Sequence, residues 1–175
     1  MNGKLIAGGI VLTAIVFGAG LYYSQVYAYY ETLDASASRA TVRATTFDGV
    51  AEDILAADYE GIDADTSPIR YRACFTTPLS TALMSETFVP YEAAEPLIAP
   101  SWFGCFDAKQ IGADLESGTA LAFLGEKNVD YGIDSVIAVY PDGRAYSWYQ
   151  INPCGDAVFD GDPAPTGCPA APQGQ

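Results

Sequence analysis

The chain has 175 residues, 22 acidic side chains against 8 basic ones, a formal net charge of −14 and no histidine. A surface this acidic is repelled by nucleic acid and by anionic lipid headgroups. Without histidine there is no imidazole base, no imidazole metal ligand and no Ser-His or Cys-His nucleophile pair.

The first predicted element is apolar. Leu5 to Tyr23, LIAGGIVLTAIVFGAGLYY, carries no charge, and as an α-helix it spans about 28 Å, close to the ~30 Å of a bilayer's hydrocarbon core. A secretion signal usually has a shorter apolar stretch, about 7–15 residues. Tyr22, Tyr23, Tyr27, Tyr29 and Tyr30 follow, and tyrosine suits the water–lipid boundary because its ring is apolar and its hydroxyl is wet. The same stretch offers a rival reading, since Val26 and Ala28 have the spacing of a signal-peptidase cut after Ala28. The length of the run and the tyrosine collar weigh toward a retained transmembrane helix over residues 5–30. Lys4 precedes the span, whereas Glu31 and Asp34 follow it before any further basic residue. The positive-inside bias then places residues 1–4 in the cytoplasm and the rest of the chain outside. Within the span, Ala14 and Gly18, and Gly20 and Ser24, have the small-x-x-x-small spacing that lets helices approach closely.

Residues 31–40 read as a linker and 41–162 as one periplasmic α+β domain, with 163–175 a Pro/Gly-rich tail. The domain should hold an antiparallel sheet of about five strands and one or two short helices. Thr41 to Phe47 and Ile54 to Ile62 are strand-like. In SPIRYRACF, Ile69, Tyr71, Ala73 and Phe75 alternate with Arg70, Arg72 and Cys74, so Cys74 is expected on the face away from the main core. Thr77-Pro78 is expected to open a short helix through Met84. Phe88 to Trp102 contains three prolines and reads as an irregular packed loop. Asp107 and Gln110 fit a capping box for a helix that Gly118 ends. Thr119 to Leu124 reads as a strand. Asp134–Tyr140 and Ala145–Ile151 form a hairpin around Pro141-Asp142-Gly143-Arg144.

Four cysteines, Cys74, Cys105, Cys154 and Cys168, all follow the span and none forms a Cys-x-x-Cys pair. That pattern disfavours zinc and fits disulfides in an oxidising compartment. Three pairings are possible, of which Cys74–Cys105 and Cys154–Cys168 are expected. Asp156, Asp160 and Asp162 lie inside the second loop, but their spacing is not that of an EF-hand, and a solvated acidic turn is the plainer reading. Arg70 and Arg72 are expected to pair with carboxylates of the acidic domain. Trp102, Phe103, Phe106, Tyr146, Trp148 and Tyr149 are expected to be mainly core, with any exposed remainder serving a partner surface. No phosphate-binding loop is present, and no cofactor is indicated.

The opening MNGKLIAGGIVLTAIVFGAGLYYSQVYAYYE, together with SPIRYRACF and WFGCFDA, resembles an uncharacterised family of alphaproteobacterial proteins with one N-terminal membrane helix. The resemblance implies an inner-membrane anchor and a periplasmic domain, and brings neither an activity nor catalytic residues. The expected function is non-catalytic: an accessory or assembly subunit of an inner-membrane protein complex, in contact with membrane lipid and not with nucleic acid. The alternative is an anchored, or secreted, periplasmic module binding a small ligand or cation. A hydrolase using carboxylates or an unrecognised serine is the least supported of the three.

Overall fold

A computed structural model describes residues 2–35 and 40–171. The middle of the expected linker, 36–39, and the last four residues of the tail lie outside the described residues.

Helix α1, Gly3–Tyr23, passes without a break into a π-helical turn, Ser24–Ala28. Together they make one helix long and apolar enough to cross a membrane, and none of its length is buried against the rest of the chain. The remaining elements are strands β1 (Glu31–Leu33), β2 (Arg43–Thr45), β3 (Ala51–Asp53), β4 (Ala57–Asp63) and β5 (Arg72–Thr76), helices α2 (Thr81–Thr87) and α3 (Ala108–Glu116), strands β6 (Leu121–Leu124), β7 (Ile133–Val139) and β8 (Arg144–Ile151), and helix α4 (Pro153–Phe159). Six of the strands form one antiparallel sheet in the order β1-β4-β5-β8-β7-β6, and β2 and β3 form a separate hairpin. The fold class is α+β.

The linker expected at 31–40 begins as a strand instead. Glu31 stands opposite Asp63 and Leu33 opposite Gly61. Without β1, the outer edge of β4 would present a row of unpaired N–H and C=O groups. The chain therefore enters the sheet directly on leaving the span, and Glu31–Leu33 belongs to the domain.

The β7–β8 hairpin is the spine of the sheet, in register from Ile133 opposite Ile151 to Val139 opposite Ala145. Its turn is tight because Gly143 donates its N–H to the Tyr140 carbonyl and takes φ +88°, while Tyr140 donates to the Arg144 carbonyl. This is a type I turn closed by a glycine bulge, one of the few short connections whose twist suits paired strands.

Both faces of the sheet are buried. One carries Phe75, Phe123, Ile137, Val139 and Ala145 under Val42 and Ala44 of the β2 segment and Met84 and Phe88 of the α2 segment. The other carries Ile62, Cys74, Val136, Ala138 and Trp148 under Phe103, Phe106 and Ile111. The alternation in SPIRYRACF is thus real, but its second face is not peripheral. Strand β5 sits between β4 and β8, and the aromatic-rich segment before α3 covers the face that holds Arg72 and Cys74.

Two helix starts differ from expectation. Thr77 donates its N–H to the Gly143 carbonyl of the hairpin turn, so it is held by the sheet, and Ser80 caps α2 by accepting from Leu83 N–H. At α3 Asp107 caps as expected, accepting from Gln110 N–H, but the Gln110 amide turns forward to Asp114 Oδ1 at 2.9 Å. Gly118, at φ +74°, ends that helix. The stretch read as an acidic turn contains α4, with Asn152 accepting from Cys154 and Gly155 N–H and Pro153 in the first turn.

Candidate functional site

The end of the span is fixed to the domain. A helix leaves its last carbonyls without intrahelical donors. Here the Val26 carbonyl, in the final π turn, accepts from the Trp102 indole Nε1 at 2.7 Å. Trp102 stacks on Tyr27, with centroids 6.4 Å apart, and meets Tyr30 edge-on at 5.9 Å and Phe103 at 6.2 Å. The five tyrosines therefore divide. Tyr27 and Tyr30 join span to domain; Tyr22 and Tyr23 surround Tyr27 with their rings exposed, and Tyr29 is exposed. Ala14, Gly18 and Gly20 are exposed along the helix and Ser24 is half-buried, and a Cβ added at Gly18 or Gly20 would meet nothing within 4 Å.

Above the collar sit the two arginines. Arg70 places its guanidinium 5.4 Å from the centre of the Tyr30 ring, and its Nη1 is buried without a hydrogen-bond partner among the described residues. Arg72 is buried and donates to the carbonyls of Ile69, Tyr71 and Leu97 at 2.6–2.8 Å, with a longer contact to Ile98. Burial lowers its pKa to about 10. Among the described residues neither arginine makes the expected carboxylate pair. The arginines that do are Arg43, to Asp53 and Glu126, and Arg144, to Asp142. The reason is position: β5 carries Arg72 into the second core, where the acceptors within reach are main-chain carbonyls, Ile69 and Tyr71 beside it in sequence and Leu97 and Ile98 of the covering segment.

That segment, residues 91–106, has no regular structure and is tied at short intervals. Gln150 accepts from Glu95 N–H and donates to the Ala93 carbonyl. Arg72 holds residues 97 and 98, Trp102 holds the span, and a disulfide joins Cys105 to Cys74. The second disulfide joins Cys154 to Cys168 and lays the tail beside α4. The six aromatic residues singled out in the sequence accordingly have different roles. Phe103, Phe106 and Trp148 are core, with Tyr146 packed beside them; Tyr149 stacks on Tyr71 across the sheet; Trp102 faces the span. Trp102→Ala removes both the indole donor and the stacking surface. Its expected cost to domain stability is only about 1–2 kcal/mol, while limited proteolysis between Tyr27 and Glu31 should become markedly faster than in the unmodified chain.

A second constellation went unnoticed in the sequence. The buried Asp134 carboxylate accepts from Asn152 Nδ2 at 2.7 Å, from Asn128 N–H at 3.0 Å and from the Tyr91 hydroxyl at 3.3 Å. The Asn152-Pro153 pair, a cap followed by proline at the first helical position, was the available signal. Beside it lies an open cleft of about 700 Å³ lined by Tyr91, Lys127, Asp134, Asn152 and the Cys154–Cys168 bridge. Asp156, Asp160 and Asp162 are exposed, and among the described residues no three His, Cys, Asp or Glu side chains are grouped to hold a metal ion.

Several phenols are held protonated. Burial is the first cause in each case: it raises Tyr71, which also shares a hydroxyl contact with Tyr59, and it raises Tyr59, Tyr91 and Tyr140, the last two beside Asp134 and Asp114. A phenol with a raised folded pKa contributes stability that is fully present below its unfolded value near 10 and is lost as pH rises beyond it. The lowered Arg72 acts in the opposite sense, one group against four. Melting temperature should therefore hold steady from pH 7 to about 10 and fall above it; a melting temperature that rises through pH 11 would refute this.

Fold and site define one class: a disulfide-bonded α+β domain joined through Trp102 to a single helix with the length and composition of a membrane span. A model of a family of unknown function, DUF6446, matches residues 41–169, and the chain belongs to that family. The match covers the domain from just before β2 to just past Cys168. No curated protein and no solved structure matches the chain significantly.

Proposed function

We propose that the protein is a membrane-anchored, non-catalytic accessory or assembly subunit of an inner-membrane protein complex, with residues 1–4 in the cytoplasm and the acidic domain in the periplasm. One observation carries this reading. The helix of 26 residues has no buried residue, is exposed from Gly3 to Tyr23, and is tied to the domain at its end through Trp102. A partner helix packed along Ala14, Gly18, Gly20 and Ser24 would thus also fix where the domain stands above the membrane. The two disulfides support an oxidising compartment. The net charge of −14 suits a basic partner surface rather than nucleic acid. Purification of the tagged chain in mild detergent should recover a membrane protein in fixed stoichiometry, and Gly18→Leu with Gly20→Leu should release it. Recovery of the chain alone would count against the proposal.

A second reading rests on the cleft beside Asp134: an anchored module that binds a small ligand or cation there. Thermal shifts with calcium and a panel of small polar ligands separate the two, since only the second predicts a saturable rise in melting temperature.

A further inference from the structure

Residues 96–106, PLIAPSWFGCF, contain no charged side chain in a chain of net charge −14. They cover the second core through Phe103 and Phe106, but Ile98 points away and is 86% exposed. Trp102, four residues on, binds the last turn of the span, Tyr30 lies under Arg70, and Glu31 is opposite Asp63. The end of the sheet that holds Asp63, Arg70 and Arg72 is therefore the end beside the span. Arg72 binds the carbonyls of Leu97 and Ile98, so Ile98 belongs to that same end. Leu55, another strongly exposed apolar residue at 72%, precedes the opposite end of β4, where Ala57 pairs with Thr76.

We propose that the loop around Ile98 is a second membrane contact: Ile98 enters the headgroup–acyl boundary next to the tyrosine collar and sets the tilt of the domain on the bilayer. The occupant is a lipid surface because the loop is continuous with the foot of the span through Trp102, and an isoleucine held there meets lipid before it can meet any soluble partner. The contact is apolar. This end of the sheet carries both acidic side chains and Arg70 and Arg72, so the contact rests on apolar transfer and needs no headgroup of a particular charge. Transfer of one exposed isoleucine from water is a modest gain, sufficient to orient a domain already tethered but not to anchor a free one. The proposal rests on the membrane reading of α1.

Three full-length variants in phosphatidylcholine nanodiscs test it, each carrying the photoreactive p-benzoylphenylalanine at one position: 17 within the span, 98, or 55. All three positions are exposed, so the fold is not at risk. After illumination the intact mass should rise by one phospholipid at 17 and at 98 and stay unchanged at 55. An adduct at 17 alone overturns the loop contact and leaves the anchor standing. Adducts at none of the three overturn both. Equal adducts at 98 and 55, or a crosslink from 98 to a second copy of the chain, overturn the defined tilt.

Discussion

Trp148→Ala should lower the stability of the domain by about 3–5 kcal/mol, the range for deleting a buried tryptophan in a core that cannot collapse around the gap. Trp148 is fully buried on β8, opposite Arg72 on one side and Val136 on the other, and packs edge-on against Phe106 at 6.3 Å. Its indole also donates to Gln150 Oε1, the atom that accepts from Glu95 N–H. The substitution therefore opens a cavity under the 91–106 segment and loosens one of its ties. Denaturant unfolding in detergent, or a melting temperature lower by roughly 10 °C, reads the loss. Trp148→Phe keeps most of the ring and should cost less than half as much. Equal losses in the two variants would mean that the indole hydrogen bond, not the packed volume, is what the core depends on.

The second large effect belongs to the Cys74–Cys105 bridge. Replacing both cysteines by alanine should cost about 4 kcal/mol in the chain-entropy account, because the bridge closes a sequence separation of 31 and ties the covering segment to the central strand β5. The Cys154–Cys168 bridge has a separation of 14, for which the same account gives about 3 kcal/mol. Residues 160–167 are exposed throughout, so opening that loop frees a tail without uncovering a core, and its loss should fall well short of the entropic figure. The order of the two double variants is the useful outcome. If loss of Cys154–Cys168 proved the more damaging, the tail would be part of the core and the division between sheet and tail drawn here would be wrong.

The parts of the fold that local chemistry decides were legible in the sequence. The β7–β8 hairpin announces itself through β-branched and aromatic arms around Pro141 and Gly143, and α3 through Asp107 and Gly118. What was not legible depends on partners distant in sequence. Glu31–Leu33 looks like linker because three residues have no periodicity of their own; β4 recruits them to cover its edge. Thr77 has the look of a helix cap, but the Gly143 carbonyl takes its N–H. Arg72 reads as one half of an ion pair, and only its burial in the second core turns it toward carbonyls. The collar was legible as five tyrosines, not as a joint. Trp102 lies 76 residues from Val26, and nothing near either residue signals the other.

Those long-range ties join the foot of the span to the domain, and the membrane anchor proposed above requires that the span be retained. Intact mass of the protein extracted from native membranes, taken with and without reductant, bears on this at once. The expected result is a chain that retains the apolar run through Ala28 and gains four hydrogens on reduction, one pair for each disulfide. Mature molecules that begin at Tyr29, or a mass that reductant does not change, would contradict it.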